Sequence, residues 1–317
     1  MAIIDHKGAV RGTAGSVVYR TYRNKNIIQG KPRKFKQTPE SIRASTEFGL
    51  SSSAAAVIRR GFEPAFIFRD GEAVARTTKQ VYRALLSSPA ATCGERDLHD
   101  ADLQQLVGMD FNGKSKLAEV LQVSYELKRD EEGNILVNLG SFHPAKDVRK
   151  TAGYPKSASR YRIRLMAVAF DFRKEYLEYL DMQDVDFKKH QEEPEQTIRL
   201  RAQADPGCMV LVSMSLLMYE EMGQTKEYVL LNNKEFSPAA IIAAYPAEEP
   251  SPKNADPVDV CEEVFPTRFN SIQGMGYAGN RLLREFAKGR LCKQPPRKQE
   301  RLTEVNRIPE FRKKVAF

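Results

Sequence analysis

The chain is organised around residues 12–61, which read GTAGSVVYRTYRNKNIIQGKPRKFKQTPESIRASTEFGLSSSAAAVIRRG. Residues 16–22 are rich in β-branched and aromatic side chains, residues 23–26 have the composition of a turn, and residues 27–29 are again largely apolar. This pattern predicts a β-hairpin. Pro32 ends its second strand, because proline has no N–H to donate to a strand ladder.

A helix is predicted shortly after the hairpin. Thr38 supplies a hydroxyl cap, Pro39 suits the first helical position, and Glu40 places a negative charge at the positive end of the helix dipole. Small or apolar residues then recur every three or four positions, so they share one helical face. We expect this face to pack closely against another backbone before Gly61 ends the helix. Its members are Ala44, Phe48, Ser51, Ala55, Ile58 and Phe62.

Charge is distributed unevenly along the 317 residues, whose formal net charge is +9. Residues 1–80 contain 15 basic and 6 acidic residues, and residues 281–317 contain 12 and 4, whereas residues 81–280 contain 23 and 31. Two basic ends therefore flank an acidic middle. A polyanion, or the acidic middle of a neighbouring copy, suits both ends as a partner, although basic tails can also serve solubility alone.

We expect neither a membrane-spanning nor a secreted protein. The apolar fraction of 41% and the charged fraction of 29% are ordinary for a globular protein, and no run of about 18 apolar residues exists. The opening residues, MAIIDHKG, lack the apolar segment and cleavage site of a secretory signal. We expect a cytoplasmic location, or a virion if a phage encodes the chain.

No metal site, disulfide or catalytic residue is expected. The cysteines form no C-x-x-C pair and the histidines stand apart; these residues are Cys93, Cys208, Cys261, Cys292, His6, His99, His143 and His190. His99 lies among Asp97, Asp100 and Asp102, where a carboxylate could tune a general base. Because no nucleophile motif accompanies it, we interpret His99 as a solvated residue of an acidic surface segment.

A glycine-rich loop gives the one cofactor-like pattern. Residues 274–279, GMGYAG, match the G-x-G-x-x-G loop that binds dinucleotide pyrophosphates, and a short helix is predicted at residues 280–288. Residues 268–273 do not have the pattern of a buried parallel strand, and no βαβ unit follows. We therefore interpret Gly274 to Gly279 as a flexible turn and assign no cofactor.

The middle of the chain has the periodicity of strands. A second helix at residues 72–87 precedes strands predicted at residues 121–128, 134–139, 161–170, 197–202, 208–219 and 227–231. Residues 239–245 fit a last strand or, because of their alanines, a helix. Strands at this spacing, with little helix between them, favour an antiparallel β-sandwich. The predicted fold class is mainly β, with an N-terminal hairpin and a two-helix segment, and α+β overall.

Three domains are expected. Residues 1–88 hold the basic hairpin and the helices, and residues 89–245 form the antiparallel β domain. Residues 246–317 contain a proline-rich linker, the short helix and a basic tail. We expect the tail to become ordered only against a partner.

Both basic ends supply candidate contacts. Their cations could pair with phosphates or carboxylates and two tyrosines could stack on bases, or the cations could simply protect an edge hairpin from aggregation. The cations are Arg20, Arg23, Lys25, Lys31, Arg33, Lys34, Lys36, Arg297, Lys298, Lys313 and Lys314, and the aromatic residues are Tyr19 and Tyr22.

Several short motifs carry a family resemblance. They are G-x-x-G-S-V-V-Y-R at residues 12–20, GKP at residues 30–32, TPE with Arg43 at the helix start, FHPAKD at residues 142–147, AVAFD at residues 167–171 and YVL at residues 228–230. Over residues 10–245 the chain resembles a Bacteroidota family of unknown function, and its opening is similar to that of phage-encoded or virion-associated structural proteins. The resemblance implies no catalytic residues, and it does not extend to the proline-rich linker or the basic tail.

Three functional hypotheses follow. The first is a non-enzymatic structural or interaction protein whose basic N-terminal arm and C-terminal tail dock onto partner subunits, including copies of itself, or onto a polyanion. The alternative is a nucleic-acid-binding protein that contacts phosphates without sequence specificity. The third, a nucleotide-binding enzyme, rests on residues 274–279 and His99 alone. No membrane and no small-molecule substrate is expected.

Overall fold

The structure, a computed structural model, describes residues 2–6, 8–22, 25–31, 37–89, 95–222, 227–253, 255–257 and 269–287. The chain divides into two compact units, Met1–Ser41 and Ile42–Phe317. Strands account for 36% of the described residues and helices for 24%, and the strands in each of the described sheets are antiparallel. The predicted fold class, mainly β and α+β overall, is confirmed. None of the described helices is long and apolar enough to cross a membrane.

The first unit is a four-stranded sheet in sequence order. Its strands are β1 (Ala2–Ile4), β2 (Val10–Ala14), β3 (Val17–Tyr22) and β4 (Lys25–Gly30). The predicted hairpin is confirmed as β3 and β4, whereas β1 and β2 were not predicted. Ala14 opposes Val17, which leaves a two-residue turn in which Gly15 has a φ of +58°. Such a turn favours glycine, because residues with a Cβ rarely adopt this conformation.

Helix α1 (Pro39–Gly61) begins where the sequence predicts it. The hydroxyl of Thr38 accepts a hydrogen bond from the backbone N–H of Ser41 at 3.2 Å, as an N-cap does. At the other end, a Cβ on Gly61 would lie 3.0 Å from the ring of Phe170. Glycine at the last position therefore lets this ring pack against the helix backbone.

In chain order the second unit continues with α2 (Ala73–Leu86), α3 (Leu117–Val120), β5 (Tyr125–Arg129), β6 (Ile135–Leu139), α4 (Pro144–Asp147), β7 (Arg160–Asp171), β8 (Tyr176–Lys188), β9 (Gln196–Leu200), β10 (Met209–Met222), β11 (Glu227–Leu230), β12 (Ala239–Tyr245), β13 (Phe269–Ser271) and α5 (Gly279–Ala287). Short 3-10 turns occupy Glu63–Ala65, Leu98–Asp100 and Leu103–Leu106. The six-stranded sheet has the order β11-β10-β7-β8-β13, with β12 also paired to β10. A separate sheet has the order β5-β6-β9.

The larger sheet of the second unit is covered on both faces. On β10, Val210 and Val212 belong to the core shared with the three-stranded sheet, and Met209 and Leu211 belong to the core shared with α1 and α2. Two-sided burial explains why β10 is a continuous apolar run rather than an alternating one. The second unit therefore has three layers: helices, a six-stranded sheet and a three-stranded sheet.

The chain divides at a different place from the predicted domain boundary. Residues 1–88 were expected to form one domain, but Ile58 of α1 and Leu85 of α2 share a core with Val168 and Leu211 of the sheet. Among the described residues, the contacts divide the chain into two units after Ser41. The helices belong to the second unit because they provide the cover that one face of its sheet requires.

The predicted packing face of α1 is correct only in its C-terminal half. Ala55 and Ile58 are fully buried, whereas Ala44 is exposed and Phe48 is 56% exposed. In the N-terminal half the buried positions are instead Ile42, Thr46, Glu47 and Leu50. Small and apolar residues occur all around this helix, so the sequence pattern does not define its buried side. Helix α2 shows a similar exception: Val74 is exposed, although Thr78, Val81 and Leu85, which follow it at helical spacing, are buried.

We expect Ala55→Leu to lower the free energy of unfolding by about 1–3 kcal/mol, because the added carbons have no space in a closely packed core. Phe48→Ala is the matched test on the exposed side of α1. Phe48 makes only an edge contact with Tyr82, at 6.4 Å between ring centroids, so its loss should cost about 1 kcal/mol or less. Urea unfolding of both variants measures the difference. An equal or larger effect of Phe48→Ala would contradict the assigned faces.

Candidate interaction surface

The four-stranded sheet of the first unit has no core of its own. Among the described residues from 2 to 31, every one is exposed or partly exposed, and none is buried. A small sheet is stable in water only if a hydrophobic face packs against something. The first unit therefore has a sheet surface that none of its own described residues buries.

The strand register sorts the sheet residues into two faces, because directly opposed residues share a face and successive residues alternate. Ala2 opposes Gly12, Gly12 opposes Tyr19, and Tyr19 opposes Ile28, so these four residues form one row across the sheet. Alternation along each strand adds the remaining members of this face: Ile4, Val10, Ala14, Val17, Thr21, Asn26 and Gly30. None of these eleven described residues is charged, and we call this surface the uncharged face.

The opposite surface carries the cations of the strands, and we call it the cationic face. It consists of Ile3, Arg11, Thr13, Val18, Arg20, Tyr22, Lys25, Ile27 and Gln29. Arg11 forms an ion pair with Asp5 at 3.3 Å, between Nε and a carboxylate oxygen. Arg20 and Lys25 are exposed. All the cations of the described strands therefore lie on one side of the sheet.

Large apolar side chains are exposed on both faces. Ile4 and Ile28, on the uncharged face, are 70% and 68% exposed, and Ile3 and Tyr22, on the cationic face, are 67% and 58% exposed. Covering an isoleucine from this state removes most of its apolar surface from water. The uncharged face is the better docking surface, because covering it desolvates no charged group.

The structure places five of the predicted contact residues on or beside this sheet. Tyr19 lies on the uncharged face, whereas Arg20, Tyr22 and Lys25 are on the cationic face or its edge, and Lys31 is exposed just after β4. Tyr19 and Tyr22, the two predicted aromatic contacts, are three residues apart in a strand and so face opposite ways. The remaining predicted contacts lie outside the described residues: Arg23, Arg33, Lys34, Lys36, Arg297, Lys298, Lys313 and Lys314.

A buried polar cluster, missed by the sequence analysis, surrounds Arg173 in the turn between β7 and β8. Its guanidinium donates to both carboxylate oxygens of Asp97, at 2.8 and 2.9 Å, and to Asp100 at 2.7 Å. It also donates to the backbone carbonyl of Ser251 at 2.6 Å. Arg173 therefore fastens residues 251–253, which were predicted to be part of an extended linker, to the second unit. Nearby acidic residues at positions 97 and 100 were the available sequence signal.

His99 belongs to the same cluster and is buried, not solvated as expected. Its Nε2 accepts a hydrogen bond from the backbone N–H of Phe172 at 3.0 Å, and a carboxylate oxygen of Asp171 lies 3.7 Å away. Burial lowers the pKa of His99, and this effect outweighs the opposing attraction of Asp171 and Asp97. A neutral ring that accepts a backbone hydrogen bond positions the β7–β8 turn and has a structural role.

Backbone conformation and close packing explain two of the glycines in residues 274–279. Gly276 has a φ of +81°, and a Cβ on Gly279 would clash with Leu50 and Tyr277. The preceding strand β13 is antiparallel to β8 at the edge of the sheet. The described residues therefore do not form the parallel βαβ unit that a dinucleotide loop requires.

The described residues contain no group of three or more histidine, cysteine or carboxylate side chains placed to hold a metal ion. Cys208 is buried beside the hydroxyl of Tyr176, at 3.1 Å, and burial raises the pKa of its thiol to about 12. A thiol with this pKa is a poor nucleophile near neutral pH. Cys93, Cys261 and Cys292 lie outside the described residues.

No protein-family model, no curated protein and no solved structure matches this chain. The resemblance to a Bacteroidota family of unknown function stays a prediction.

His99 should make a pH-dependent contribution to stability. Histidine titrates near about 6.5 in an unfolded chain, and the buried ring titrates lower. The folded protein then binds fewer protons, so this contribution is present above about pH 6.5 and is lost as the pH falls below it. His99→Gln keeps a hydrogen-bond acceptor but cannot titrate. Between about pH 7.5 and 5, wild-type unfolding free energy should fall relative to that of the variant; parallel pH curves would show that the prediction is wrong.

Proposed function

We propose that this chain is a non-enzymatic interaction protein inside a cell or a virion. Its second unit acts as the scaffold, and its N-terminal sheet docks onto a partner protein through the uncharged face. The observation that carries the proposal is a sheet with an uncharged face, apolar except for Thr21 and Asn26, and no buried residue among those described. The proposal extends to the basic C-terminal tail on charge alone.

Docking would supply the burial that the sheet lacks. Full burial of an isoleucine side chain contributes about 1.5–3 kcal/mol, and Ile4 and Ile28 are both mostly exposed. Neighbouring Val10, Val17 and Tyr19 are partly exposed and lie on the same face. Burial of such a group in one contact is enough to offset part of the entropy lost on association.

The scaffold role is supported by the burial and the hydrogen bonds within the second unit. Both faces of its large sheet are covered, and Arg173 ties the 97–100 turn and residue 251 to the β7–β8 turn through buried hydrogen bonds. A unit held in this way presents an attached sheet without needing the partner for its own fold.

Ile4→Lys combined with Ile28→Lys should abolish partner binding, because two charges would have to be buried in an apolar contact. Ile3→Lys combined with Ile27→Lys is the matched control: the same substitutions in the same sheet, on the cationic face. Affinity capture from the cells that encode the protein, followed by quantitative mass spectrometry, compares the two with wild type. The proposal requires proteins that wild type and control retain and the first variant loses. Identical sets from both double variants would contradict it.

A second candidate function, nucleic-acid binding, is supported by the cationic face. Arg20 and Lys25 are exposed there, and Tyr22 beside them could stack on a base. This contact would use phosphates and carry no sequence specificity.

If nucleic acid binds this face, Arg20→Gln combined with Lys25→Gln should weaken the affinity for a single-stranded oligonucleotide and flatten its dependence on salt between about 50 and 200 mM. Lys79→Gln combined with Lys188→Gln removes two exposed charges of the second unit and is the control. Fluorescence anisotropy measures both. Weak, salt-independent binding by wild type, or equal losses in the two variants, would rule out this function.

A further inference from the structure

We propose that the uncharged face of the N-terminal sheet pairs with the same face of a second copy of this chain, forming a two-fold dimer in which two four-stranded sheets pack as a sandwich. This inference rests on the proposed function and names the partner. It follows from three properties of the sheet: where its charges lie, how residue sizes are arranged across it, and how large the face is.

The distribution of charge allows the uncharged faces of two copies to pack together. The eleven residues of the uncharged face carry no charge, so no cation of one copy meets a cation of the other across the contact. Packed sheets lie about 10 Å apart, which places the two cationic faces on the outer surfaces. Their cations are then separated by more than a Debye length, about 8 Å in physiological salt, so their mutual repulsion is weak and salt lowers it further.

Residue sizes across the central row are complementary under a two-fold rotation. This row reads Ala2, Gly12, Tyr19 and Ile28, from β1 to β4, so its first half is small and its second half is large. A two-fold axis parallel to the strands places β1 of one copy opposite β4 of the other. Ala2 then meets Ile28 and Gly12 meets Tyr19, so large side chains fill the space that small ones leave.

The size of the face sets the strength of the contact. Four strands spaced about 4.8 Å apart, with about five residues at about 3.4 Å each, give a face of about 19 by 17 Å. A contact of this size belongs to the class that buries less than about 1,200 Å², which is weak and reversible. The dimer should therefore form at micromolar concentrations and depend on concentration.

Sedimentation velocity of the full chain, from about 5 to 200 µM, tests the inference with the two double variants already introduced. Wild type should show a monomer–dimer equilibrium, Ile4→Lys with Ile28→Lys should weaken it at least about tenfold, and Ile3→Lys with Ile27→Lys should change it less than about threefold. Raising the salt from about 0.05 to 0.5 M should strengthen the dimer, the opposite of what a contact between unlike charges or with nucleic acid shows.

Amide hydrogen exchange of unsubstituted protein gives a readout that does not depend on any variant folding. Amides of residues 10–22 and 25–30 should become more protected as concentration rises, whereas those of β10 should stay unchanged. A monomer at every concentration, a dimer that tightens at low salt, or equal effects of the two double variants would each overturn the inference. If the purified protein stays monomeric but the capture experiment still shows a face-specific partner, only self-pairing fails; if both fail, so does the proposed function.

Discussion

The structure of the second unit depends on the burial of β7 and β10 from both sides. Their apolar side chains alternate between two cores, with Ile163 and Val212 on one side and Val168 and Leu211 on the other. Each core exists only if its own face of the sheet is covered. The three-stranded sheet covers one face and the helices cover the other, so both are required. This constraint brings α1 and α2 into the second unit, although they precede its strands by dozens of residues.

The sheet of the first unit, unlike the large sheet of the second, has no buried face among the described residues. This sheet also has an apolar face, but nothing described in residues 2–31 is buried. Two sheets of one chain thus differ in the property that stabilises sheets in water. The difference has a physical meaning: a surface that folding leaves uncovered is available for association. The two units thus differ in burial, and this difference supports an interaction role for the first unit.

Local sequence signals predicted helices and strands well, but they did not predict contacts between residues that are distant in sequence. The N-cap at Thr38 and the apolar run of β10 act within a few residues, and both appear in the structure as expected. Strand β8 was missed because Asp184 and Asp186 make it look polar; these carboxylates pair with Arg162 and Arg164 on the neighbouring strand. The cluster around Arg173 was missed because the partners of Arg173 are distant in sequence.

The candidate surface was identified from sequence as a basic hairpin, but its two faces were not. A shift of one residue in strand register exchanges the faces, so composition alone cannot separate them. The register places Arg11, Arg20 and Lys25 on one side and leaves the other uncharged. The two proposed functions, protein docking and polyanion binding, would then use different surfaces of the same sheet. One copy can pair through its uncharged face and still present cations outward, so the two functions are compatible in a single assembly.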